Sequence, residues 1–201
     1  MIKNIIFDFG QVLVAYDFNK YLPSIFNDKE EMSKFKAIFC GDEFVNRCDK
    51  GDQTFLELIR SAQKEYPHWK KELQQFHDTQ LDVLTGEVPG MRDLILRLKD
   101  GGYRVFGLTN WSETVYPVLE KYSILSLLEG RIISSEERMI KPDPDIFLKL
   151  LEKFSLKAGD CLFTDDKLPN VEGAKSVGMD AVVFKDARQF EEELKKRGVL
   201  A

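Results

Sequence analysis

Four short segments of this chain carry residue types that can do chemistry together. Asp8 closes the run Ile5-Ile6-Phe7, Thr109-Asn110 closes Val105-Phe106-Gly107-Leu108, and Asp165-Asp166 closes Cys161-Leu162-Phe163-Thr164. The fourth segment is Lys141-Pro142. Apolar runs of this kind read as buried parallel strands, and open α/β sheets bind ligands beyond the carboxyl ends of their strands. One carboxylate, a hydroxyl, an ammonium and a carboxylate pair would then meet in one crevice. That inventory suits phosphoryl transfer through an aspartyl-phosphate, with a divalent cation to offset the charge.

Taken singly, most of these residues have an ordinary reading. An Asp at a strand end commonly forms a turn or caps a helix. Gly10, two residues on, lets the backbone approach a ligand and aim a carbonyl at it. Thr109 and Asn110 are common helix caps, and equally suit donation to a phosphoryl oxygen at a helix start. Pro142 keeps Lys141 in an extended or turn conformation, from which its ammonium acts as a point charge. Asp165-Asp166 is the least ordinary segment, because adjacent carboxylates repel unless a cation or a lysine lies between them. Asn170, about one helical turn on, is placed to orient one of the pair.

The elements that must hold these residues follow from periodicity. From residue 89 onward strand and helix alternate: a helix over Met91–Lys99, strands over Tyr103–Leu108 and Arg131–Ser134, and a helix begun by Asp143-Pro144. Cys161–Thr164 forms the next strand, followed by a short helix over Asn170–Val177, a strand over Asp180–Phe184 and a terminal helix from Ala187. Such alternation implies right-handed crossovers and a parallel sheet. Residues 17–88 break the pattern. Asp28-x-x-Glu31 resembles a capping box, Phe55, Leu56, Ile59 and Ala62 make a helical stripe, and Trp69, Leu73, Phe76 and Leu84 suggest a further amphipathic helix. The fold expected is α/β, a Rossmann-like parallel sheet core (1–16 and 89–201) with an α-helical cap (17–88) inserted after the first strand, where it can act as a lid.

Composition narrows the partners. A formal net charge of −5 argues against nucleic acid or an anionic membrane surface, and no apolar run approaches the roughly 18 residues of a membrane span. The start, Met1 to Ile5, lacks the plan of a signal peptide. Three cysteines, Cys40, Cys48 and Cys161, form no C-x-x-C pair, which suits a reducing cytoplasm, and Cys161 reads as core. His68 and His77 lie in a polar stretch, so a histidine metal site is not expected.

Together the four segments resemble the haloacid dehalogenase superfamily, whose marks are a nucleophilic Asp after the first strand, a Thr or Ser after the second, a Lys before a helix and a D-D pair. In wording, Asp8-Phe9-Gly10-Gln11-Val12, Asp17-Phe18-Asn19 and Asn170-Val171-Glu172-Gly173-Ala174 look closest to α-D-glucose-1-phosphate phosphatases and the phosphatase domain of soluble epoxide hydrolase. The resemblance implies a Mg²⁺-dependent phosphatase of a small phosphate ester, a sugar phosphate foremost. Asp8 would be the nucleophile, and Lys141 would position both partners. Thr109 and Asn110 would bind the phosphoryl oxygens, with Asp8, the Gly10 carbonyl and Asp166, beside Asp165, holding the metal. A 2-haloacid dehalogenase and a silent phosphate-binding module are the alternatives. One departure matters: the family's D-x-D-G-T phosphatases use the second Asp to protonate the leaving alcohol, and here that position is Gly10. Asp17 and water are the candidate substitutes.

Overall fold

The computed structural model describes residues 1–201. The strands are β1 (Asn4–Phe7), β2 (Val14–Tyr16), β3 (Leu84–Glu87), β4 (Arg104–Thr109), β5 (Gly130–Ile133), β6 (Cys161–Asp165) and β7 (Asp180–Val183). Between β2 and β3 lie α1 (Phe18–Tyr21), α2 (Lys29–Phe39), α3 (Asp42–Lys50), α4 (Phe55–Glu65) and α5 (Lys70–Asp78). The remaining helices are α6 (Met91–Asp100), α7 (Val115–Lys121), α8 (Ser134–Glu137), α9 (Pro144–Lys153), α10 (Leu168–Ser176) and α11 (Ala187–Lys196).

Five strands form one parallel sheet in the order β5-β4-β1-β6-β7. Its inner strands are apolar throughout because helices cover both faces. Ile5 and Phe7 point to one face, against Met91 and Ile95 of α6, Val118 of α7 and Phe190 of α11. Ile6 points to the other, against Phe147 and Leu150 of α9 and Val171 of α10. Full burial of each such side chain stabilises by about 1.5–3 kcal/mol. From β1 the chain builds β4 and β5 on one side, then returns to build β6 and β7 on the other. The order therefore switches beside β1, where such sheets form their binding crevice. Phe7 pairs with Gly107 on one side and Thr164 on the other, which sets Asp8, Thr109 and Asp165 at the ends of three adjacent strands.

The helices between β2 and β3 have their own aromatic core. Phe35 meets Trp69 and Phe76 edge-on at 5.6 and 5.4 Å between ring centres, and Phe39 meets Phe44 at 5.1 Å. Each such pair adds about 0.5–1.5 kcal/mol beyond its burial.

Several local expectations shift. Asp28 does cap α2 through the Glu30 and Glu31 N–H groups, but the Glu31 carboxylate instead accepts from Trp69 Nε1 at 2.9 Å. The reciprocal capping box belongs to Thr54 and Glu57. Asp143 stands at the start of α9 without a side-chain capping bond. Leu84 is not helical: α5 ends at Asp78, and Leu84 pairs with Tyr16 in the antiparallel β2–β3 ribbon. The third core strand also ends one residue before Ser134, which opens α8.

Candidate active site

Lys141 is the hub of the strand-end cluster. Its Nζ donates to Asp8 Oδ1 at 2.7 Å, to Asp165 Oδ2 at 2.6 Å and to the Leu108 carbonyl at 3.0 Å. All three ammonium protons are thus engaged, and the side chain is 1% exposed. Burial works against its charge, but the Asp165 and Asp8 carboxylates outweigh that, and the Lys141 pKa is raised. The Lys141 backbone is held from both ends by one side chain: Asn110 Nδ2 donates to its carbonyl at 2.9 Å, and its N–H donates to Asn110 Oδ1 at 2.8 Å. The Asn110 side chain thereby fixes the loop that carries the lysine.

The carboxylates differ in surroundings. Asp165 is fully buried and both its oxygens are occupied: Oδ1 accepts from the Lys167 N–H at 2.8 Å, Oδ2 from Lys141, and Asn170 Nδ2 lies 3.0 Å from each. Asp8 keeps Oδ2 free of protein hydrogen bonds. Burial pushes the Asp8 carboxyl up to about 7; Lys141 pulls it down, and Asp165 and Asp166 push it further up. Burial, then Asp165, also raises Asp166. Asp8, Asp165 and Asp166 each offer an oxygen within 4.8 Å of the others. Three carboxylates gathered around one ammonium form a negative, all-oxygen donor set that fits a hard divalent cation. The Thr109 hydroxyl is buried and has no hydrogen-bond partner, and the same holds for Thr164 two strands over. An orphaned hydroxyl at a strand end beside this cluster suits a ligand oxygen.

Above the cluster lies a chamber of about 380 Å³. Asp8, Gly10, Tyr16, Asn110, Lys141 and Asp166 line it from the sheet side, and Phe39, Phe44 and Asp49 line it from the helices between β2 and β3. Three polar contacts join the two sides: Ser134 Oγ donates to the Asp49 carbonyl at 2.5 Å, the Phe55 N–H to Glu113 Oε1 at 2.7 Å, and Lys167 Nζ to Asp42 Oδ1 at 3.1 Å. Thr109 and Asp165 sit beneath the lining rather than in it.

Tyr16 and Asp49 were not legible as site residues. No sequence motif marks either residue; Tyr16 ends β2 and Asp49 lies in the last turn of α3. A Cβ placed on Gly10 would lie 3.2 Å from Tyr16 Cε1, so a side chain at position 10 would press on the tyrosine ring. Asp17 is elsewhere. Its carboxylate caps α1 through the Asn19 and Lys20 N–H groups at 2.9 and 3.3 Å, outside the chamber lining.

The fold is thus an α/β protein with a parallel sheet and a strand-end Asp–Lys–Asp cluster beneath a helical cover. Residues 5–184 match the family model described as haloacid dehalogenase-like hydrolase, and the chain belongs to that family. It is 38% identical over 139 residues to a glyceraldehyde 3-phosphate phosphatase of Pyrococcus abyssi, covering 65% of this chain and 56% of that protein. A protein of the same name from Pyrococcus furiosus is 35% identical over 148 residues, covering 70% of this chain and 60% of that protein. The chain therefore spans little more than half the length of these relatives. In fold it is similar to a haloacid dehalogenase family enzyme of Bacteroides thetaiotaomicron, with a TM-score of 0.75 at 21% identity over 96% of this chain and 98% of that one. The same enzyme has been solved in complex with magnesium and inorganic phosphate, at a TM-score of 0.71 and 23% identity over 92% of this chain and 96% of that one. No helix is long and apolar enough to cross a membrane.

Proposed function

We propose that the chain is a Mg²⁺-dependent phosphatase of a small phosphorylated metabolite of the sugar-phosphate kind. The observation that carries this is Asp8 at the floor of the chamber, one oxygen held by Lys141 and the other unengaged. The phosphatase names of the Pyrococcus relatives support the reaction class, and a chamber of about 380 Å³ falls within the size range of small-molecule sites. Asp8 Oδ2 attacks phosphorus, the bond to the leaving oxygen breaks, and an aspartyl-phosphate forms. Lys141 keeps the attacking carboxylate oriented and offsets charge on the transferred group. Thr109 Oγ1 donates to a phosphoryl oxygen, which gives that hydroxyl its missing partner. Asp165 and Asn110 act through Lys141, one holding its ammonium and the other its backbone. Water then attacks phosphorus and returns the Asp8 carboxylate.

Asp8, the Gly10 carbonyl and Asp166 would hold Mg²⁺, with Asp165 adding charge beside them; the ion supplies electrostatic stabilisation of the phosphoryl charge. Displacement of halide from carbon has no need of such a carboxylate cluster, which disfavours the 2-haloacid dehalogenase alternative. The test is phosphate release from p-nitrophenyl phosphate, glyceraldehyde 3-phosphate and hexose phosphates, with Mg²⁺ and after exhaustive chelation. Turnover that requires Mg²⁺ is expected. Undiminished turnover after chelation would refute the metal assignment, and no phosphate release from any ester would refute the reaction.

A further inference from the structure

Gly10 leaves this site without the carboxylic acid that a leaving alcohol needs, and the space at position 10 is crowded by Tyr16. The remaining proton sources are water and the other groups in contact with the chamber, among which a carboxylic acid is the strongest donor. Tyr16 itself is a poor source. Burial, reinforced by Asp166, Asp8 and Asp49, pushes its phenol up to about 12, which makes it a weaker acid than a carboxyl and leaves almost no phenolate to serve as base for the attacking water. Besides Asp8 and Asp166, the chamber is lined by two carboxyl groups, Asp42 and Asp49. The Asp42 carboxylate is 82% exposed and paired with Lys167. That leaves Asp49.

The placement of Asp49 is a product of how the helical layer meets the sheet. α3 ends at Gly51, whose φ of +74° is the left-handed turn that favours glycine. A Cβ there would lie 2.5 Å from the Ser135 carbonyl, so only a glycine lets this end of α3 lie directly on α8. Ser134 Oγ then holds the Asp49 carbonyl at 2.5 Å, and the Asp49 side chain enters the chamber across from Asp8. It is half-buried, and the Ser112 backbone N–H donates toward its carboxyl. The charged and titratable groups that face it are Lys167 and Lys141 on the cationic side, Asp8 and Tyr16 on the other, with Cys48 beside it on its own helix.

We infer that Asp49 is the general acid and base of this site, carried in by the helical layer in place of a carboxyl at position 10. This rests on the phosphatase reading above. In the first half-reaction the bond between phosphorus and the leaving oxygen breaks as Asp8 attacks, and the Asp49 proton passes to that oxygen, releasing the alcohol. In the second, water oxygen bonds to phosphorus, the bond to Asp8 breaks, and one water proton returns to Asp49 while the other leaves with hydrogen phosphate. The protonation state of Asp49 suits both half-reactions. Burial, opposed by Lys167 and reinforced by Asp8, pushes its carboxyl up to about 7, so both forms are populated near neutral pH.

The experiment compares two leaving groups in wild type, Asp49→Asn and Asp49→Ala, with Mg²⁺ present. p-Nitrophenyl phosphate departs as a stable anion and needs little protonation, whereas glyceraldehyde 3-phosphate departs as an alkoxide unless protonated. General acid catalysis contributes around 10²–10⁴-fold, so kcat/KM for glyceraldehyde 3-phosphate should fall by that order in both variants. The fall for p-nitrophenyl phosphate should be at least about tenfold smaller. Its time course should show a burst of nitrophenol, because hydrolysis of the aspartyl-phosphate has lost its base. Parallel losses on both esters, or a loss on glyceraldehyde 3-phosphate below about tenfold, would overturn the assignment while leaving the phosphatase reading intact. A wild type that releases phosphate from neither ester would overturn both.

Discussion

Replacing Lys141 by Met keeps the length of the side chain and removes the ammonium from a buried cluster. The wild-type ammonium serves Asp8 at 2.7 Å, Asp165 at 2.6 Å and the Leu108 carbonyl at 3.0 Å, with side-chain exposures of 1%, 11% and 0% for Lys141, Asp8 and Asp165. Removing one partner of a buried ion pair costs about 3–5 kcal/mol, because the other charge is left uncompensated. For a chain of this size each kcal/mol moves Tm by about 2–4 °C, so the deficit at pH 8 should lie between about 6 and 20 °C. It should also depend on pH. The Asp8 carboxyl titrates at about 7 in the fold, above its ordinary 3.8. Between those values the folded protein holds a proton that the unfolded chain has released, so stability falls as pH rises through this window. Without Lys141 the main influence opposing burial is gone, Asp8 titrates higher still, and the decline continues beyond pH 7. Thermal unfolding followed by circular dichroism in EDTA, at pH 5 and pH 8, measures the deficit of the variant against wild type. A larger deficit at pH 8 is expected. Equal deficits at the two values, or one below about 4 °C at pH 8, would refute the account of the cluster.

Thr109→Val removes a buried hydroxyl that has no partner in the protein. Relieving it should leave Tm unchanged or raise stability by up to about 1–3 kcal/mol, while loss of a hydrogen bond to a charged phosphoryl oxygen lowers kcat/KM by about 10- to 150-fold. A destabilised variant with full activity would show that the hydroxyl serves the fold instead. Asp8→Asn should abolish turnover and leave the circular dichroism spectrum unaltered; retention of a tenth of wild-type kcat would remove Asp8 as nucleophile. Gly10→Asp should be destabilising by about 1–3 kcal/mol, because its Cβ presses on Tyr16, and Tyr16→Ala in the same chain should recover part of the loss. Additive melting-temperature changes in the double variant would show that the two positions do not share that space.

The strand-end residues were legible because they obey two strong rules. Fully apolar runs mark strands covered on both faces, and ligand groups follow their carboxyl ends. Asp8, Thr109 and Asp165 satisfied both, and the register of β1 with β4 and β6 sets them side by side. What the sequence concealed depends on tertiary contact. Asn110 could be seen as polar and near the site, but only the loop geometry shows its amide clamping the Lys141 backbone. Leu84 fitted a helical stripe by spacing, yet pairing with Tyr16 outweighs a four-residue preference. Glu31 stood at the right distance for a capping box, but Trp69 Nε1 needed a buried partner and competes for it. Asp49 gave no signal at all, since an acid on the polar face of a helix is ordinarily solvated and only the docking of α3 on Ser134 turns it inward.

Gly10 shows why such contacts matter for function as well as for fold. From sequence, a site lacking an acid at this position should favour esters whose leaving oxygen carries negative charge easily, so a hexose 1-phosphate should outpace the matching 6-phosphate. The assignment proposed for Asp49 relocates that expectation. If Asp49 delivers the proton, the wild type tolerates primary alkyl esters, the kind implied by the names of its Pyrococcus relatives. The steep dependence on the leaving group then belongs to Asp49→Asn, where no carboxylic acid remains opposite Asp8. It also ties chemistry to closure. A carboxyl at position 10 would travel with the nucleophile, whereas Asp49 reaches the chamber only while the helical layer rests on the sheet. On the assignment proposed for Asp49, protonation of the alcohol therefore requires α3 to lie over Asp8.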